Sequence, residues 1–156
     1  MEYYRTGRSF LDGRDWTAAR NWFQAGLEHG DHRCAYGLTA LAAMTGEPTA
    51  EGLGKLAEVL PEIQTMAERG DADAAFILGR CHETGCAVTR SVPEAITWYL
   101  RADSLGNVDA MFNLGCVYLS LGPEAEGLAL TQFRRAAEHG SVDAQRALEH
   151  HRKMFG

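Results

Sequence analysis

GDADAAFIL runs from Gly70 to Leu78, and GNVDAMFNL runs from Gly106 to Leu114. Both stretches open on glycine, carry alanine four places on and reach leucine eight places on. GDHRCAYGL from Gly30 and GSVDAQRAL from Gly140 repeat the pattern, with Cys34 as the small residue of the former. The four glycines are spaced 40, 36 and 34 residues apart. A second pattern precedes three of them. Ala19, Ala95 and Ala129 stand eleven places before the glycine, and Phe23, Tyr99 and Phe133 stand seven before it. Self-similarity at a fixed period marks a repeat architecture, in which each unit buries its apolar face only by stacking on its neighbours.

Each unit reads as two antiparallel helices. Alanines at fixed positions let helices approach closely, and the aromatics fill the space between units. The recurrent glycine ends the second helix, because glycine takes the left-handed C′ conformation at little steric cost. His29 and His139, one place earlier, suit a helix C-terminus, where positive charge is favoured. Ser91-Val92-Pro93-Glu94 has the form of a capping box and predicts a helix opening at Ala95, while Pro123-Glu124 predicts another start. Pro61 falls inside a helical pattern and predicts a kink or split at Leu60, since proline removes a hydrogen bond and clashes with the preceding turn.

From Leu78 to Tyr118 the chain reads LGRCHETGCAVTRSVPEAITWYLRADSLGNVDAMFNLGCVY. This stretch resembles the Sel-one-like repeat, a relative of the tetratricopeptide repeat. Leu78, Gly79, Gly85, Val88, Ala95, Trp98, Tyr99, Ala102, Gly106, Asn107 and Ala110 fall on that family's pattern. Ser91 stands where the family usually has Asp, Ala87 replaces the second loop glycine, and His82 replaces a tyrosine. Asp109 to Ala144 matches again with a shortened loop. Thr6 to Leu27 has tetratricopeptide-like spacing without the extra loop, and Met44 to Gly70 is the least regular part, with four extra residues. The resemblance implies one all-α domain over residues 1–156, a right-handed α-solenoid of antiparallel helix pairs. Its units fall at about 1–31, 32–71, 72–107 and 108–141, and the polar residues after Leu148 suggest a capping helix over 142–154 with a solvated outer face.

Composition narrows the function. The 156 residues are 46% apolar and 23% charged, as in an ordinary globular chain, with net charge −6. Fifteen basic residues against 21 acidic ones leave no basic footprint for nucleic acid. The longest apolar runs, such as Leu41 to Met44, fall far short of the roughly 20 residues of a membrane helix. Glu2, Arg5 and Arg8 break up the first ten residues, so no secretory signal is expected and the cytoplasm is the expected compartment. Cys34, Cys81, Cys86 and Cys116 are therefore read as reduced thiols. Cys81, His82 and Cys86 lack the fourth ligand and second pair of a structural zinc site, so neither a metal nor another cofactor is expected. No phosphate-binding loop, HExxH or GxSxG motif is present, and no enzyme is expected.

The resemblance implies a scaffold or adaptor that binds protein partners. The first helices of such a solenoid line its inner surface. Counting from the repeated glycine, slots three, six, ten and thirteen share the side opposite the packed Ala and Leu slots. Slot six holds Tyr36, Phe76 and Phe112, with Tyr4 in the same slot when the first unit is aligned through Gly7, and Arg146 at the end of the series. Arg80, Glu83, Asn113 and Cys116 surround them. These nine residues form the candidate partner-binding set. Two readings stand side by side: an aromatic ladder contacting a peptide, or aromatics packed between units. A monomer is expected. A cognate inhibitor or chaperone of a toxin or secreted effector is the alternative function, and an enzyme the remote one.

Overall fold

The computed structural model describes residues 1–47 and 49–156, apart from the side chain of Glu51. Pro48, in the irregular second unit, lies outside the described residues. Helices α1 (Tyr3–Asp12) and α2 (Trp16–Glu28) form the first pair, and α3 (Arg33–Thr45) and α4 (Ala50–Glu68) the second. Helices α5 (Ala72–Thr84) and α6 (Val92–Ser104) form the third pair, and α7 (Val108–Ser120) and α8 (Glu126–Glu138) the fourth, before a final α9 (Val142–Phe155). The fold is the expected all-α stack of helix pairs. Among the described residues, no helix is long and apolar enough to cross a membrane.

The repeated glycine does two jobs through its neighbours. Gly30, Gly70, Gly106 and Gly140 all lie at φ between 81° and 98°. At each, the glycine amide and the next residue's amide return to carbonyls of the preceding helix; at Gly106 these are Asp103 at 2.9 Å and Ala102 at 2.9 Å. At three of the four, the residue after the glycine then caps the next helix. Asp71 accepts from the Ala74 amide at 2.8 Å, Asn107 from Ala110 at 2.9 Å and Ser141 from Ala144 at 3.2 Å. At these three junctions one dipeptide closes one helix and caps the next, which fixes a tight connection between units; α3 instead starts after His32 with no side-chain cap.

Two expectations about helix boundaries are corrected. Helix α6 begins at Val92 rather than Ala95: Ser91 is its N-cap, accepting from the Glu94 amide at 3.4 Å. The return half of the box is absent, because the Ser91 amide donates instead to the His82 carbonyl at 2.9 Å. Helix α4 is not split at Leu60 and runs unbroken through Pro61. Pro61 and Ala57, whose carbonyl it leaves without its helical donor, both lie on the exposed side, where water can serve that carbonyl. The buried side carries Leu56, Val59, Ile63 and Ala67.

The first helices contact one another in series, α1 with α3, α3 with α5 and α5 with α7, and form the inner layer. Each second helix packs against its own partner and against the first helix of the next unit. The Phe23 ring fills the space above two glycines, since a methyl on Gly7 or Gly37 would come within 2.4 or 2.5 Å of it. Phe133 lies over Gly115 in the same way, at 2.6 Å. Burying such a ring contributes about 1.5–3 kcal/mol.

Helix α9 covers the residues expected to cap the stack, and past Leu148 every residue except the half-buried His151 is exposed. Val142, Met154 and Phe155 are exposed, and Phe155 closes a hollow of about 450 Å³ with Leu119, Leu130, Phe133 and Ala147.

Candidate partner-binding groove

The first-helix residues enclose a groove of about 550 Å³ on the inner face. Six of the nine candidate residues line it: Tyr4, Tyr36, Phe76, Arg80, Phe112 and Asn113. Helical geometry brings them together, because one slot recurs on the same face of α1, α3, α5 and α7.

The slot-six residues are not equivalent. Tyr4 and Phe76 are only 1% and 5% exposed and form the floor, whereas Tyr36 and Phe112 are half-buried. Tyr4 and Phe76 are thus packed between units, while Tyr36 and Phe112 keep part of their surface open to the groove. Tyr4 tilts on Phe23, Phe76 on Tyr99 and Phe112 on Phe133, with ring centroids 5.6–6.2 Å apart. The floor thus rests on the rings that fill the glycine gaps.

Arginines overlie these rings. The Arg8 guanidinium sits 5.7 Å from the Phe76 centroid, and the Arg33 guanidinium sits 5.7 Å from that of Tyr4. Such cation–π placements are stabilising by about 0.5–1 kcal/mol where exposed. Arg80 donates from Nε to the Tyr36 hydroxyl at 3.3 Å and from a terminal nitrogen to Glu83 at 3.0 Å. The Tyr99 hydroxyl donates to the same Glu83 carboxylate. Burial raises the Tyr36 phenol, against the opposing pull of Arg80. Burial also pushes the Tyr4 and Tyr99 phenols well above their ordinary range, and Glu83 raises Tyr99 further. The Tyr4 hydroxyl is buried and has no hydrogen-bond partner among the described residues.

The remaining candidates lie elsewhere. Glu83 is tied into the Arg80 and Tyr99 contacts behind the groove wall. Cys116 is half-buried outside the lining. Arg146 is exposed on α9 and reaches Asp143 at 3.6 Å, so the series of rungs stops at Phe112. The α9 axis carries no aromatic in that slot to extend the floor.

Arg8 is the principal residue that the slot pattern missed. It occupies slot ten of the first unit, the slot that singled out Arg80 and Cys116 in later units. Its guanidinium donates to Asp109 at 2.9 Å, so α1 reaches across the inner face to α7. Asp73 is a second tie. It is 9% exposed, accepts from Arg5 at 2.7 Å and from Asn107 at 3.0 Å, and lies 3.7 Å from Arg33. One carboxylate so joins α1, α3, α5 and the start of α7. Ala43 and Met44 are exposed along the groove edge, and Asp12, Asp109 and Asp143 add negative charge to it.

Among the described residues, no three His, Cys, Asp or Glu side chains gather where they could hold a metal ion. Cys81 is buried in α5, and His82 and Cys86 lie at and beyond that helix's end. No family model matches the chain, and no curated protein matches it. Among solved structures it is similar to the crystal structure of a Sel1 repeat protein from Oxalobacter formigenes, at 23% identity and a TM-score of 0.57. The likeness covers 92% of this chain and 59% of that one, so this chain spans well under two thirds of its neighbour's length. The helix pairs, their glycine closures and this likeness agree: the chain has the fold of a Sel1 repeat protein.

Proposed function

We propose that the protein is a binding scaffold that holds a short segment of another protein against its first helices. The observation that carries this reading is the groove itself: about 550 Å³, continuous over α1, α3, α5 and α7, with half-buried aromatics beside an exposed methionine. That volume matches sites that take a few side chains rather than a whole domain. Tyr36 and Phe112 offer rigid contact area, and tyrosine is favoured where binding energy concentrates. Arg8 and Arg80 face Asp12, Asp109 and Asp143 along the edges, which favours a segment of mixed charge and sets its direction.

The test fills the groove without touching its floor. Phe76→Ala and Tyr4→Ala are unsuitable, because removing a buried aromatic costs about 3–5 kcal/mol and confounds folding with binding. Ala43→Arg with Asn113→Arg places bulk on the lining instead. Affinity capture with wild type and with this variant, both shown folded by circular dichroism, should yield a partner that the variant loses. Equal capture by both proteins contradicts the reading.

A further inference from the structure

The turn between α5 and α6 brings two thiols to one helix end. Gly85, at φ 76°, follows the last residue of α5, and the Gly85 and Cys86 amides both donate to the Cys81 carbonyl, at 2.8 and 3.0 Å. In this closure the residue after the glycine folds back over the helix, where its side chain commonly meets that of the residue three before the last helical one. Those residues are Cys86 and Cys81. Cys81 is fully buried in the core, whereas Cys86 is half-buried and lines the groove beside Arg80. The accessible sulfur and the enclosed sulfur are therefore neighbours.

Their environments divide the labour. The nearby Cys81 thiol, and after it the Arg80 charge, lower the Cys86 thiol below its ordinary value. The same proximity, together with burial, raises Cys81. The other two cysteines are less reactive. Burial pushes Cys34 up to about 12, and its sulfur is wedged against the Gly26 backbone; burial raises Cys116 too. The thiolate is the form that oxidants meet, so exposure and acidity both select Cys86.

We propose that Cys86 and Cys81 form an oxidation site for hydroperoxides, closing to an intramolecular disulfide across the end of α5. The Cys86 thiolate attacks hydrogen peroxide; the S–O bond forms as the O–O bond breaks, hydroxide leaves and takes up a proton as water, and Cys86 becomes a sulfenic acid. The Cys81 sulfur then attacks the Cys86 sulfur; the S–S bond forms, the S–O bond breaks, and a second water leaves with the Cys81 proton. Two thiols lose two electrons, and one peroxide becomes two waters.

Arg80 and Arg90 bracket the pair, so trypsin releases both cysteines in one peptide, Cys81 to Arg90. The folded chain is treated with hydrogen peroxide at neutral pH, blocked with iodoacetamide in denaturant and mapped by mass spectrometry. The proposal expects this peptide to lose two hydrogens, to resist alkylation, and to recover both on reduction. Cys81→Ser should instead leave a Cys86 sulfenic acid that dimedone traps, and Cys86→Ser should leave Cys81 as a thiol. A wild-type chain in which Cys86 runs on to sulfinic acid while Cys81 stays alkylatable overturns the proposal. So does oxidation that begins at Cys116, or a disulfide between two chains.

Discussion

The Tyr99 ring lies directly over Gly79: a methyl group built on that glycine would stand 2.5 Å from the ring carbon Cδ1. The glycine belongs to α5 and the ring to α6, so the absence of one side chain sets how closely the pair packs. The same relation joins Gly7 to Phe23 and Gly115 to Phe133. In the second unit Thr39 takes the glycine's slot and Ile63 the ring's, and the Thr39 hydroxyl turns back to the Ala35 carbonyl at 2.9 Å.

Gly79→Ala should therefore destabilise the protein although alanine is the better helix former. The gain in helix propensity is about 1 kcal/mol, while overpacking a closed core costs about 1–3 kcal/mol. Gly54→Ala in α4 is the control, since nothing lies within 4 Å of the methyl it would add. Thermal melts should show Gly79→Ala below wild type and Gly54→Ala level with it or above.

Asp73→Ala should cost more than a helix cap alone. Asp15 caps α2 through the Ala18 amide at 3.0 Å, on the exposed surface, and its removal should cost about 1 kcal/mol. Asp73 serves Arg5 and Asn107 at once and sits beside Arg33, so its loss leaves the buried Asn107 amide without its acceptor and should cost about 2–3 kcal/mol. Urea unfolding of the two single variants measures the difference.

Alkaline pH should unfold the protein through its tyrosines. The Tyr4, Tyr36 and Tyr99 phenols are raised in the folded chain, chiefly by burial. A raised folded value means stability that is complete below the ordinary phenol value of about 10 and is lost as pH climbs above it. Phenolate absorbance from these three should rise together with the loss of helical circular dichroism. Their ionisation in a chain that is still fully helical would contradict the burial described.

The fold was legible because its signal is carried by the residues that make the closures. Glycine at Gly30, Gly70, Gly106 and Gly140 is demanded by a positive φ, and the alanines and rings before them by close packing, so period and mechanism coincide. The groove was half legible. Slot six brought Tyr4, Tyr36, Phe76 and Phe112 to one groove, but a helical wheel cannot tell the half-buried rings of Tyr36 and Phe112 from the buried floor of Tyr4 and Phe76. That depends on how far neighbouring units curve together. The same curvature brings Arg8 to Asp109 across 101 residues of chain, a contact that no local spacing announces. The caps at Asp71, Asn107 and Ser141 were present in the repeated dipeptides and needed only the recognition that one residue can end one helix and start the next. Pro61 misled because a proline's cost depends on whether the carbonyl it frees faces water.

The central claim is that the inner face of the first helices receives the partner. A photo-crosslinking residue placed in turn at Ala43 and Asn113 on the groove, and at Asn21 and Arg134 on the exposed sides of α2 and α8, tests it in the presence of native lysate. The account predicts covalent adducts to one partner from positions 43 and 113 and none from 21 and 134. Adducts to that partner from the outer positions, with the groove positions silent, would contradict it.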